Sequence, residues 1–136
     1  MPDVVVDKPV AIALDLAEFD ECLPSLRMSV RVDMPHSTGI VSYQADSIWF
    51  QCSDWDTFLL NLNGIESGNE DRASLSSMSN ELMIKIEVDG MKVKFDLHIK
   101  EPDTGMGEID VKFGAEIDRD VIAHLKGAYM GLAKFW

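Results

Sequence analysis

The chain is short of positive charge. Its 136 residues carry 12 Lys or Arg against 24 Asp or Glu, for a net charge of −12. The shortage is uneven. Residues 1–71 hold 13 acids and three bases, and no Lys or Arg occurs from Val32 to Asp71. Nucleic acids and anionic membranes are bound through Lys and Arg, so this balance argues against both as partners. A basic protein would be attracted. The plain alternative is a solvated surface that keeps the chain soluble. Long apolar runs are missing as well: Val4–Val6 and Ile48–Phe50 fall far short of the ~20 residues of a membrane-spanning helix. The opening MPDVVVDKP lacks a basic n-region, which predicts no signal peptide and a cytoplasmic protein. Cysteine is scarce. Cys22 and Cys52 belong to no CxxC pattern, and two reduced thiols are expected.

The usual signatures of chemistry are absent too. His36, His98 and His124 are isolated, with no second His or Cys at metal-ligand spacing. There is no Gly-rich phosphate loop and no GxSxG elbow. Asp54 and Asp56 would face different ways on a helix, so they read as a charged N-terminus rather than a catalytic pair. Cys52 precedes a helix start, where a thiol can be activated, but no His partner is assured and an inert thiol is the simpler account. Gly127 and Gly131 spell GxxxG, which on a soluble helix means close packing. The chain is therefore expected to be no enzyme and to take no cofactor or metal.

What is present is alternation. From Asn80 to Lys100, Leu82, Ile84, Ile86 and Val88, then Met91, Val93, Phe95, Leu97 and Ile99, alternate with polar residues. Period two is the mark of strands with one buried face. Asp89-Gly90 between the runs predicts a two-residue hairpin turn. That register sets Ile86 against Val93, Ile84 against Phe95 and Leu82 against Leu97. Lys85, Lys92, Lys94 and Lys100 fall on the outer face among acids, which reads as a solvated surface.

Val4 to Leu16 predicts one or two strands around Pro9, and Glu18–Pro24 an acidic connection. Leu26 to Met34 predicts a strand stopped by Pro35. Ile40 to Phe50 changes parity near Ala45–Ser47, which calls for a bulge or turn. Trp55, Phe58, Leu59 and Leu62 have helical spacing behind Ser53 as N-cap, with Gly64 as the terminator. Short strands follow near Ala73–Met78 and over Ile109–Ile117. A second helix follows Asp118, with an apolar stripe of Val121, Leu125, Ala128, Leu132 and Phe135, widened by Ile122 and Tyr129. The result is one domain over 1–136. Its fold is α+β: a mostly antiparallel meandering sheet with two helices, about 53–63 and 119–134, packed on the face of Ile84, Ile86, Val93 and Phe95.

Three stretches carry a resemblance: SIWFQCSDWDTFLLNLNGI (Ser47–Ile65), ASLSSMSNELMIKIEVDGMKVKFDL (Ala73–Leu97) and IDVKFGAEIDRDVIAHLKGAYMGL (Ile109–Leu132). In element order and spacing, over roughly residues 26–135, the chain resembles the WapI-type immunity proteins of bacterial toxin systems and related families. The resemblance implies a cytoplasmic antidote that binds and neutralises a cognate toxin, often a nuclease. It implies no catalytic residues. The partner surface is placed on the base-free stretch, with Asp46, Trp49, Asp54, Asp56, Glu66, Glu70 and Asp71 as its residues and a basic toxin as the partner. The second reading is a non-catalytic interaction module or accessory subunit, homodimeric through a sheet edge.

Overall fold

A computed structural model describes residues 2–102 and 104–132. The fold is α+β, with ten elements: β1 Val4–Val6, β2 Ala11–Asp20, β3 Ser25–His36, β4 Gly39–Gln51, α1 Cys52–Ser67, β5 Arg72–Ser76, β6 Leu82–Asp89, β7 Lys92–Glu101, β8 Ile109–Ile117 and α2 Arg119–Met130. The meander divides into two antiparallel four-stranded sheets, β1-β2-β3-β4 and β5-β6-β7-β8, each in chain order. α1 interrupts the strand succession between them. One contiguous apolar core runs through both sheets and both helices.

The central hairpin forms with a shifted register and, apart from Met91, which falls in the turn and is 96% exposed, with the expected faces. Val88 pairs with Val93, Ile86 with Phe95, Ile84 with Leu97 and Leu82 with Ile99. The turn is therefore Gly90-Met91, not Asp89-Gly90. Gly90 takes φ 63°, whereas Met91 stays out of the left-handed region. This suits a turn with Gly at its first central position, and it leaves Asp89 in the ladder opposite Lys92. A shift of two residues preserves parity, so the apolar face still points inward. Gly90→Val is expected to cost about 1 kcal/mol or more, because a β-branched residue resists positive φ. Nothing lies within 4 Å of a Cβ added there, so the cost is conformational alone. An unchanged denaturation midpoint would reject this turn.

In the first sheet the parity change of β4 is a bulge. Met28 pairs with Ile48 and Val30 with Ala45, so β4 carries one extra residue at Asp46-Ser47. A second bulge, at Ala17, lets β2 continue to Asp20 across the stretch expected to be a connection. Nor does Pro35 stop β3. It pairs with Ile40 at the end of the ladder, and the chain turns at Ser37-Thr38.

α1 is longer than expected at both ends. Gln51, not Ser53, occupies the N-cap position, and the Cys52 N–H donates to the Pro24 carbonyl at 3.0 Å. Gly64 lies inside the helix. The terminator is Gly68, with φ 84°, and the Gly64 carbonyl accepts from the N–H groups of Asn69 and Glu70. The buried stripe is Trp55, Phe58, Leu62 and Ile65. Gly64 is required for another reason: a Cβ there would sit 2.4 Å from Glu70 Cγ. α2 starts as expected after Asp118 and ends at Met130, short of 134. Phe135 lies outside the described residues. α2 buries Ile122, Leu125 and Tyr129, with Leu132 buried just past its end, whereas Val121 and Ala128 of the expected stripe are half-buried. The helices do not both lie on the central hairpin. α1 packs beside β5 and against α2, and α2 packs beside β1.

Candidate functional site

The seven expected partner residues separate into two groups. Asp54 lies in the first turn of α1 and Glu66 in its last, twelve residues apart, which is about 18 Å along the axis. Asp46 and Trp49 precede the helix, on β4. Asp56 is half-buried on the first two turns. At the far end the side chains of Glu66 and Glu70, and the backbone of Asp71, serve the fold. Glu66 pairs with Lys126 of α2 at 2.5 Å, Glu70 folds over Gly64, and the Asp71 carbonyl accepts the Val88 N–H at 2.7 Å. The two groups thus stand at opposite ends of α1.

Of the nearer group, Trp49 lines a groove. Ile48 and Phe50 point into the core, so strand alternation turns Trp49 to the outer face, where it is half-buried. Two distant turns close around it. The β2–β3 turn brings Asp20 and Leu23, and the β5–β6 turn brings Met78 and Ser79. Together with Ser25 they line a groove of about 280 Å³. Each turn is held by hydrogen bonds. Asp20 Oδ1 accepts the N–H groups of Cys22 and Leu23 at 2.9 and 3.4 Å, which fixes the turn that presents Leu23. The Met78 N–H donates to the Trp49 carbonyl at 2.8 Å. Ser77 Oγ donates to Glu81 Oε1 at 2.8 Å and accepts the Leu82 N–H at 3.2 Å.

The groove joins three large apolar side chains, Leu23, Trp49 and Met78, to one acid, Asp20. Leu23 is 54% exposed and Met78 40%, beside the Trp49 ring. Across the ladder from Trp49 stand Arg27 and then Glu18. Arg27 Nε binds Glu18 at 3.0 Å, and its Nη1 donates to the Asp46 carbonyl at 3.4 Å. Asp20 lines the groove itself, and Glu21 follows it in the same turn. Sequence reading reached Trp49 and Asp46 and missed Leu23, Met78 and Asp20. Nothing local could have joined positions 20–25 to 49 and 78–79.

The lysine-bearing face of the hairpin is different in kind. Its charges cancel along cross-strand rows, such as Arg72, Glu87, Lys94 and Glu116. Lys85 bonds Glu87 at 3.0 Å and holds that carboxyl below the usual carboxylate range, with Arg72 and Lys94 adding to the effect. His98 Nε2 lies 2.6 Å from Asp110 Oδ1, and this bond chiefly holds the Asp110 carboxyl low. At one end of the sheets, Tyr43 of β4 donates to Glu101 of β7 at 2.6 Å. Burial first, and then Glu101, push the Tyr43 phenol up.

Among the described residues no three His, Cys, Asp or Glu are grouped to hold a metal ion, and no helix is long and apolar enough to cross a membrane. Cys22 is exposed, Cys52 is buried, and neither is in a disulfide. The architecture thus defines an α+β protein of two four-stranded meanders, with the Trp49 groove where the first sheet meets the β5–β6 turn. No protein family, curated protein or solved structure matches this chain.

Proposed function

We propose that the protein works by binding, without catalysis, as an immunity-type antidote whose Trp49 groove seats a basic toxin domain in the cytoplasm. The observation that carries this reading is the groove itself: a half-buried Trp flanked by exposed Leu23 and Met78, with Asp20 in its lining, built mainly from the part of the chain with 13 acids and three bases. Aromatic anchors in a pocket contribute a large share of interface energy, and the surrounding charges chiefly set the rate of encounter. A nuclease-like toxin exposes a basic groove for phosphates, and an acidic surface with an aromatic anchor complements it. The order and spacing of elements over residues 26–135, which resemble the WapI-type immunity families, support the same reading. The self-neutralised lysine face offers less to such a partner.

The test begins with co-purification from the native host, to identify what the parent protein retains, and continues with binding kinetics on that purified partner. Trp49→Ala is expected to weaken the complex ~30-fold or more, mainly by faster dissociation. Neutralising Asp46 and Asp54 together should slow association at low salt about tenfold and flatten its salt dependence. Neutralising Glu66 and Glu70 should leave association unchanged, because those acids serve α1 and α2 instead. A folded Trp49→Ala variant that binds and protects like the parent would reject the groove as the contact.

A further inference from the structure

Each sheet ends in two edges, and an exposed edge invites another strand unless it is short, bulged, covered or given inward charges. Three of the four edges are blunted in one of these ways. β1 has three residues. β4 carries the bulge at Asp46-Ser47 and gives its Trp49 carbonyl to Met78. β5 has five residues and lies beside α1. β8 is the exception. Its nine residues pair with β7 in unbroken register from Val93–Ile117 to Glu101–Ile109, and its other side faces no strand among the described residues. It has no proline and no inward charge. Its inner face is also incompletely covered. Val93, Phe95, Leu97 and Ile99 of β7 are at most 1% exposed, whereas Phe113 is only half-buried and Ile109 is 46% exposed.

We propose that the free edge of β8 is a self-association surface, where two copies pair antiparallel about Gly114 to make one eight-stranded sheet. The sequence of β8 is self-complementary in that register. Lys112 falls opposite Glu116 of the second copy, twice by symmetry. On the inner face Phe113 falls opposite Ala115, and Val111 opposite Ile117, so the two half-covered apolar faces become continuous. Because a two-fold axis pairs residues of equal parity, each face meets its own kind. The ladder spans 111–117, since the chain leaves the sheet at Asp118. Gly114 stands at the axis without a side chain, as suits close backbone approach in a strand. Charge decides for a second copy through this edge. Residues 1–71 repel themselves, whereas residues 72–136 hold 11 acids and nine bases. Joining through β8 keeps the two acidic halves apart and leaves both Trp49 grooves open.

The junction is smaller than the ~1,200 Å² of a standard interface, so the expected dimer is weak, with a Kd of ~10 μM. Sedimentation equilibrium of the full chain over ~1–500 μM reads it against the monomer mass of 15.2 kDa. Lys112→Glu alone and Glu116→Lys alone each set like charges across the axis twice. Each is expected to weaken the dimer about tenfold. The double variant restores both attractions and is expected to return the parent Kd. These outer-face positions are exposed, so all three variants keep the fold, which circular dichroism checks. A parent that stays monomeric to the top of the range overturns the proposal. So does a dimer indifferent to the single swaps, or a double variant no better than its parents. An edge occupied only when a different protein is bound overturns it too. None of these outcomes touches the Trp49 groove, which Lys112→Glu leaves intact and partner binding reports separately.

Discussion

Phe95→Ala is expected to lower the free energy of unfolding by about 3–5 kcal/mol, as cavity-forming changes at buried rings do. Phe95 is fully buried on β7, between Ile86 of β6 and Ala115 of β8. Its inward neighbours belong to a core shared by all parts of the fold, so the void cannot close by moving one loop. Small domains have about 5–15 kcal/mol of total stability, so the loss is a large share of it. Urea denaturation reads it as a fall in midpoint at constant slope. A midpoint within a few tenths of molar of the parent would mean that the inner face of β7 is not where the core lies.

Trp55→Ala is expected to cost a similar amount, about 3–5 kcal/mol, and to loosen a specific element. Trp55 touches Phe50 of β4 edge-on, at 5.8 Å between ring centroids, and Tyr129 of α2 at 5.3 Å. Phe58 meets the same Tyr129 at 5.1 Å. These rings fasten α2 to α1 and α1 to the first sheet. The Tyr129 hydroxyl is buried with no hydrogen-bond partner among the described residues, which costs rather than stabilises. α2 is therefore held chiefly by apolar contact, beside the partly exposed Lys126–Glu66 pair, and is the element to loosen first. Amide exchange should speed up in α2 before it does in β6 and β7. Uniform protection in all three elements would show that Trp55 does not hold α2 in place. Trp55→Phe, which keeps a ring in the site, should recover much of the loss.

Strands were the most legible part of the sequence. Alternation fixes which side chains share a face, so the inward residues of β3, β6 and β7 and the bulge in β4 could be read from parity alone. Register was less legible. Asp89-Gly90 is a good hairpin pair, but Gly90-Met91 also meets the one need for positive φ and keeps Asp89 beside Lys92. Both turns bury the same residues, and local pattern cannot choose between them. The end of α1 was misread because two glycines follow its apolar stripe. Gly64 reads as a stop until Glu70 is seen folded against it; Gly68 is the residue that takes the left-handed turn. Of the candidate site, Trp49 and Asp46 were legible as an aromatic and an acid in a base-free stretch. Leu23, Met78 and Asp20 were not, since they meet Trp49 only across two turns.

By itself, the sequence determined the α+β class, the faces of the strands, the start of α2 and the concentration of acid in the first half. Each follows from local periodicity or from composition, which act without knowledge of distant contacts. Only the tertiary structure decided that the meander splits into two sheets and that α1 packs beside β5 while α2 packs beside β1. The same is true of the separation of the acids to the two ends of α1, and of β8 as a long edge without bulge or proline. Those outcomes depend on which segments remote in the chain come to share a core. Burial is non-directional and is optimised over the whole molecule, so no window of neighbouring residues contains the answer.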